Sequence, residues 1–163
     1  MTVATSLRHV DIFAEFTLTQ LELIASIGVE QVYDMSEVVF EENSDGSELY
    51  VILEGEVDIQ VDPSLIGKTG KGAPQTIATL RRGQSFGEVA LVDQGRRSAR
   101  ALSMQEETHL LVIPRDKLML LCDSYPQLGY RLMRNLAADL AMKMRNTDLK
   151  VREYLMWMGS NRP

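Results

Sequence analysis

The residues best placed to do chemistry lie in one run, FGEVALVDQGRRSARA, from Phe86 to Ala101. Gly87 has no Cβ, so its backbone N–H can approach a ligand oxygen closely. Glu88, Val89, Ala90 and Leu91 can form one helical turn, whose first N–H groups lack internal partners and favour an anion in front of them. Arg97 follows a turn signal at Gln94 and Gly95, and its planar fork of donors fits phosphate oxygens in pairs. Ser98 adds a hydroxyl and a further backbone N–H. Glu88 is the odd member, because a carboxylate repels phosphate. It fits as an acceptor from a sugar hydroxyl such as a ribose 2′-OH, with Arg97 offsetting part of its charge. Taken singly, a Gly-Glu pair is a turn with a solvated acid and adjacent arginines are a solvated edge. The order of the whole run favours a site for one phosphate and one sugar hydroxyl, hence a ligand sensor rather than an enzyme.

The elements that must position this run are legible as a helix, a set of strands and two further helices. Thr19 and Glu22 form a capping box pattern ahead of Leu23, Ile24 and Ile27, with Gly28 as the stop, which predicts a helix over about 20–27. Strand patterns follow at Val32, Val38–Phe40, Leu49–Leu53 and Val57–Val61, with Glu54-Gly55 as a tight hairpin connection. The Gly/Lys/Pro-rich segment from Pro63 to Pro74 reads as an exposed hairpin loop. Its GKTGKG lacks the spacing of a phosphate-binding P-loop. Strands resume at Thr76–Leu80, around Ala99–Ser103 and at Thr108–Ile113, and many short strands with turn signals suggest a sandwich or barrel. Helical patterns cover Arg115–Cys122 and then Pro126 to about Met158, roughly 30 residues or about 45 Å, with Gly159 as the stop. Leu128, Leu132, Leu136 and Leu140 should face the core. Met144, Thr147, Val151, Tyr154 and Met158 are spaced like a coiled-coil seam. A plain amphipathic surface helix is the alternative to a parallel homodimer through that seam.

Composition narrows the function classes. The chain has 163 residues, 45% of them hydrophobic, and a net charge of −6. That is enough for one domain over 1–163, and the acidic balance argues against a general nucleic-acid surface. Arginines 81, 82, 96, 97 and 100 reverse the balance locally, which suits a small anion better than a polyanion. Cys122 is alone and reads as an inert buried thiol. Two histidines and no suitable spacing give no metal site, and no nucleophile and base are placed together. No run spans a bilayer and no signal segment is visible, so a cytoplasmic location without membrane attachment is the expectation.

The run resembles the phosphate-binding cassette of the cyclic nucleotide-binding domain family. The family pattern is F-G-E, a small apolar turn, a variable loop, then R-[ST/A]-A. Here it reads Phe86-Gly87-Glu88, then Ala90-Leu91, then Arg97-Ser98-Ala99. The segment ELYVILEGEVDI from Glu48 to Ile59 resembles the family's third and fourth strands, and the likeness extends over about 13–151. It implies a mostly β fold: an eight-stranded β jelly roll over about 30–114, with an N-terminal helix, a short cassette helix and a long C-terminal helix ending the 115–158 helical region. It implies that Gly87, Glu88, Val89, Ala90, Arg97, Ser98 and Ala99 form the ligand site. Glu88 would bind the ribose 2′-OH and Arg97 the cyclic phosphate, with N–H groups of Gly87, Ala90 and Ser98 in the phosphate shell. The ligand would be cyclic AMP or, since a hydroxyl at Ser98 suits a guanine, cyclic GMP, with no other cofactor. The family's C-terminal helix acts as a lid, making Arg145, Asn146 and Thr147 candidates for the base, and the activator branch dimerises through it. The turn after the second strand, where the family often has glycine, holds Asn43, which tolerates positive φ. The rival readings are a transcription regulator of the catabolite activator type without its DNA-binding domain, since only about five residues follow the helix against the ~50 a domain needs, and a protein-interaction module that has lost its ligand. The chain alone is expected not to bind DNA, and a separate effector protein, unidentified, would read the helix.

Overall fold

The computed structural model describes residues 2–66 and 73–161. Eight antiparallel strands form two four-stranded sheets, flanked by helices at both ends of the chain. The strands are β1 (Val29–Tyr33), β2 (Val38–Phe40), β3 (Leu49–Glu54), β4 (Glu56–Val61), β5 (Gln75–Arg81), β6 (Ser85–Phe86), β7 (Arg100–Ser103) and β8 (Thr108–Ile113). One sheet has the order β1-β8-β3-β6 and the other β2-β7-β4-β5. The expected fold class is what the chain adopts. The GKTGKG segment lies outside the described residues, although β4 and β5 on either side of it pair with Val61 opposite Gln75.

Two cores explain why β3 and β8 read as continuous apolar runs rather than alternating ones. Side chains alternate across a strand, and both faces here are covered. Leu49, Val51, Leu111 and Ile113 pack toward the helices, with Leu21, Ile24, Leu118, Leu128 and Leu132. Tyr50, Ile52, Leu110 and Val112 pack between the sheets, with Val57, Leu80, Phe86 and Ala101. The short strand β6 escaped the sequence reading because two residues carry no period. It matters, because it places Phe86 and the start of the cassette against Tyr50 of β3.

The N-terminal region is more structured than its sequence suggests. α1 (Val3–Leu7) and a 3-10 turn (Asp11–Phe13) precede α2 (Leu18–Ile27). The cap of α2 is corrected: the box is Thr17 with Gln20, not Thr19 with Glu22. Gln20 N–H donates to Thr17 Oγ1 at 3.2 Å and Thr17 N–H to Gln20 Oε1 at 3.0 Å. Both registers fit the pattern, and the earlier one gains two helical residues. Gly28 does end the helix, yet in extended rather than left-handed backbone. Its need is spatial, since a Cβ there would meet Leu111 Cδ1 at 2.6 Å.

Two helices close the chain, α4 (Arg115–Ser124) and α5 (Pro126–Ser160), the latter 35 residues long. α5 runs through Gly159, where nothing packs against the backbone to stop it. Leu128, Leu132 and Leu136 are buried as expected and Leu140 is half-buried. The first half of α5 is pinned to the N-terminal region by polar contacts. Asn135 Nδ2 donates to Ile12 O and Ala14 O, both at 3.0 Å. Arg131 donates to Glu15 O at 2.8 Å, and Arg134 pairs with Glu15 at 2.6 Å. Among the described residues no helix is long and apolar enough to cross a membrane.

Candidate functional site

β6 leads directly into the cassette. Phe86 stacks on Tyr50 at 5.0 Å between ring centroids and tilts against Phe40 at 5.8 Å, which fixes where the chain turns next. Gly87 makes that turn with φ 85°, a left-handed conformation that favours glycine. A Cβ there would also stand 2.7 Å from Glu48 O and 2.8 Å from the Arg97 guanidinium. α3 (Glu88–Asp93) follows, and its first N–H groups have no partner within so short a helix. Glu88 and Ala90 are buried, Val89 is partly exposed.

Arg97 is 2% exposed, far more enclosed than an isolated arginine pair suggests. One amino group donates to Glu48 O at 3.1 Å and to Gly87 O at 3.3 Å. The other donates to Glu48 Oε2 at 2.9 Å. The guanidinium stacks 4.3 Å from the Phe40 ring centroid. Its backbone is held too: Arg97 N–H donates to Ser44 O at 3.0 Å, and Asn43 N–H donates to Arg97 O at 2.8 Å. Asn43 has φ 62°, as its residue type allows. It is distant from the cassette in sequence and bonded to it in space. Ala99 is buried behind the arginine and Ser98 is exposed.

The expected offset of Glu88 by Arg97 is corrected. Arg97 is neutralised by Glu48 and Glu88 by Lys143, a residue of α5 that sequence reasoning missed. Lys143 Nζ donates to Glu88 Oε1 at 2.7 Å and to Ser85 O at 2.9 Å, and lies 2.7 Å from Asp139 Oδ2 one turn earlier. Burial works against the ammonium, and Glu88 and Asp139 outweigh it, raising its pKa above the ordinary lysine value. Burial, with Glu48 adding, pushes the Tyr50 phenol up to about 12. No periodic signal marks either Glu48 or Lys143, whose ion pairs reach across 49 and 55 residues.

Among the described residues five side-chain polar atoms are buried without a hydrogen-bond partner: Ser85 Oγ, Glu88 Oε2 and Arg97 Nε around the cassette, with Arg100 Nε and Asp139 Oδ2. Each such atom costs about 1–3 kcal/mol when it stays unsatisfied. Ser85 and Glu88 bracket the turn at Phe86 and Gly87, and Arg97 donates to Gly87 O at 3.3 Å. The open cleft lined by Asp45, Gly46, Ser47, Gln94, Gly95 and Arg96 borders the loop and reaches neither Glu88 nor Lys143. The Arg145 and Asn146 side chains are exposed and make no hydrogen bond or ion pair among the described residues, while the Thr147 hydroxyl donates to Lys143 O at 3.0 Å. Lys143 of α5 contacts the cassette, one turn before Thr147.

A family model described as the cyclic nucleotide-binding domain matches residues 30–125. The cyclic AMP receptor protein of Thermus thermophilus is 31% identical over 132 residues, 81% of this chain and 56% of that protein. The human cGMP-dependent protein kinase 2 is 28% identical over 110 residues, 68% of this chain and 14% of the kinase. The crystal structure of the Thermus thermophilus catabolite activator protein superposes with a TM-score of 0.73 at 28% identity, covering 88% of this chain and 62% of that one. The chain thus spans little more than half of the receptor protein and a small part of the kinase.

Proposed function

The chain belongs to the cyclic nucleotide-binding domain family, and on that premise we propose that it is a non-catalytic cyclic nucleotide sensor, with cyclic AMP its ligand and cyclic GMP the alternative. The observation that carries the reading is the set of unpartnered buried atoms on Ser85, Glu88 and Arg97. A cyclic nucleotide supplies the matching groups: a ribose 2′-OH to donate to Glu88 Oε2, and phosphate oxygens to accept from Arg97. The N–H groups of Gly87, Ala90 and Ser98 border the phosphate, with Val89 and Ala99 lining the same turn. Glu48 is partly exposed and free to yield the guanidinium to an incoming phosphate.

Signalling runs through α5, which touches the cassette at Lys143 and presents Arg145, Asn146 and Thr147 beside it. Ligand moves the helix only by binding one of its positions more tightly than another. The seam of Met144, Thr147, Val151, Tyr154 and Met158 is exposed along its length and serves a parallel homodimer. The protein works in the cytoplasm and hands its signal to an effector protein. The cyclic AMP receptor protein of Thermus thermophilus is the relative that favours cyclic AMP, and the human cGMP-dependent kinase keeps cyclic GMP in view.

Melting temperatures measured with cyclic AMP, cyclic GMP and linear 5′-AMP test the reading. A cyclic nucleotide at about a hundred times its Kd stabilises by about 2.7 kcal/mol and raises the melting temperature by about 5 °C or more, with 5′-AMP inactive. No shift with either cyclic nucleotide, or an equal shift with 5′-AMP, contradicts it.

A further inference from the structure

Lys143 is neither a cassette residue nor one of the expected lid residues, yet it is the point where α5 meets the site. Lys143 Nζ donates to Glu88 Oε1 and Ser85 O, and Asp139 Oδ2 lies 2.7 Å from it as an ion pair. These partners belong to α3, β6 and α5, so one ammonium ties three elements together. Asp139 lies one turn before Lys143 on the same helix face and orients the lysine from its own side. On the far side of the contact, the second oxygen of Glu88 is buried with no partner, as is the Ser85 hydroxyl.

This asymmetry within one carboxylate has a chemical meaning. A free glutamate rotates and offers either oxygen to any donor. Here Oε1 accepts from an ammonium and Oε2 has no partner. Lys143 also sets a positive charge 2.7 Å from this buried carboxylate.

We propose that Lys143 is a positioning residue of the nucleotide site: it holds Glu88 so that Oε2 alone receives the ligand's ribose 2′-OH, and the same contacts fasten α5 to the cassette. The proposal rests on the reading that Glu88 takes the ribose. Lys143 itself does not touch the ligand, and its effect is confined to the hydroxyl that Glu88 reads. The position of α5 and the fit of the sugar are then two consequences of one ammonium.

Calorimetric titration of wild type and Lys143→Met with cyclic AMP, cyclic GMP and their 2′-deoxy analogues separates this role from a general one. Wild type should prefer the ribose form by about tenfold or more, the worth of one hydrogen bond to a charged group. Lys143→Met should lose about that factor for the ribose form alone, leaving ribose and deoxyribose forms nearly equal. Lys143→Arg should restore the preference, and Lys143→Gln should behave as Met does if Met disturbs the fold. Equal weakening of both forms, or unchanged discrimination, overturns the positioning role. Amide exchange on the ligand-free protein judges the fastening separately. Faster exchange over 139–150 in Lys143→Met supports it, and unchanged exchange removes it. If wild type binds neither cyclic nucleotide, the sensor reading fails and takes the positioning role with it, while the exchange result still decides whether α5 is fastened there.

Discussion

Arg97 and Glu88 carry opposite charges a short loop apart, and each has found a counter-charge from elsewhere in the chain. For Arg97 that partner is Glu48, which occupies one arm of the guanidinium fork at 2.9 Å. A phosphate arriving at Arg97 must therefore displace or share with a carboxylate. Glu48→Gln keeps an acceptor in place and removes the competing charge. Its predicted effect is tighter binding of the cyclic nucleotide by about fivefold, about 1 kcal/mol of relieved repulsion at a partly solvated site. Weaker binding in that variant, read by calorimetry, would mean that Glu48 serves to hold Arg97 for the ligand instead. Arg97→Lys retains a positive charge and loses the planar fork along with its stacking on Phe40. Affinity in that variant should fall at least about tenfold while circular dichroism stays native. An unchanged affinity would detach Arg97 from the site.

Among the elements, α5 is held tightly at one end and loosely at the other. Its first half buries three leucines and is pinned through Asn135, Arg131 and Arg134 to the N-terminal segment. Among the described residues, past Asp139 its hydrogen bonds to the roll are those of two lysines, Lys143 at the cassette and Lys150 at Ile77 O of β5. Ligand should accordingly slow amide exchange over 139–154 and leave 128–136 unchanged. Equal exchange with and without bound ligand would remove α5 from the signalling path. For α2, Thr17→Ala should cost about 1 kcal/mol of stability by denaturant titration and Thr19→Ala almost nothing; the reverse ranking would move the cap back to Thr19. These cases show what sequence alone could reach. The cassette was legible because its residues are contiguous and of special types, Gly87 above all. The strands β3 and β8 were legible because their apolar runs are dense. The two-residue β6 and the helix α1 carry too few residues for a period to emerge. Thr17-x-x-Gln20 and Thr19-x-x-Glu22 fit the same pattern, so only the fold distinguishes them. Lys143 and Glu48 were illegible for another reason: an ion pair across some fifty residues leaves no local trace, and a lysine on a long helix looks like any solvated lysine.

At the scale of the whole molecule, α5 presents a seam with no partner along it in the single chain. Met144, Val151, Tyr154 and Met158 are 43% to 64% exposed, and Met142, Leu149, Leu155, Met156 and Trp157 of the same helix are exposed as well. A second copy packing its α5 in parallel would cover them, and Val151→Asp with Tyr154→Asp should shift the protein from dimer to monomer by sedimentation. Wild type that sediments as a monomer at high concentration would instead leave α5 as a free surface helix. The proposed signalling presupposes that the roll holds a cyclic nucleotide. The most direct measurement is therefore calorimetric titration of the wild-type protein, with Arg97→Lys as control, against cyclic AMP and cyclic GMP. The account predicts binding in the micromolar range or tighter for at least one of them, weakened in the control. No heat with either, together with an unshifted melting temperature, would contradict it.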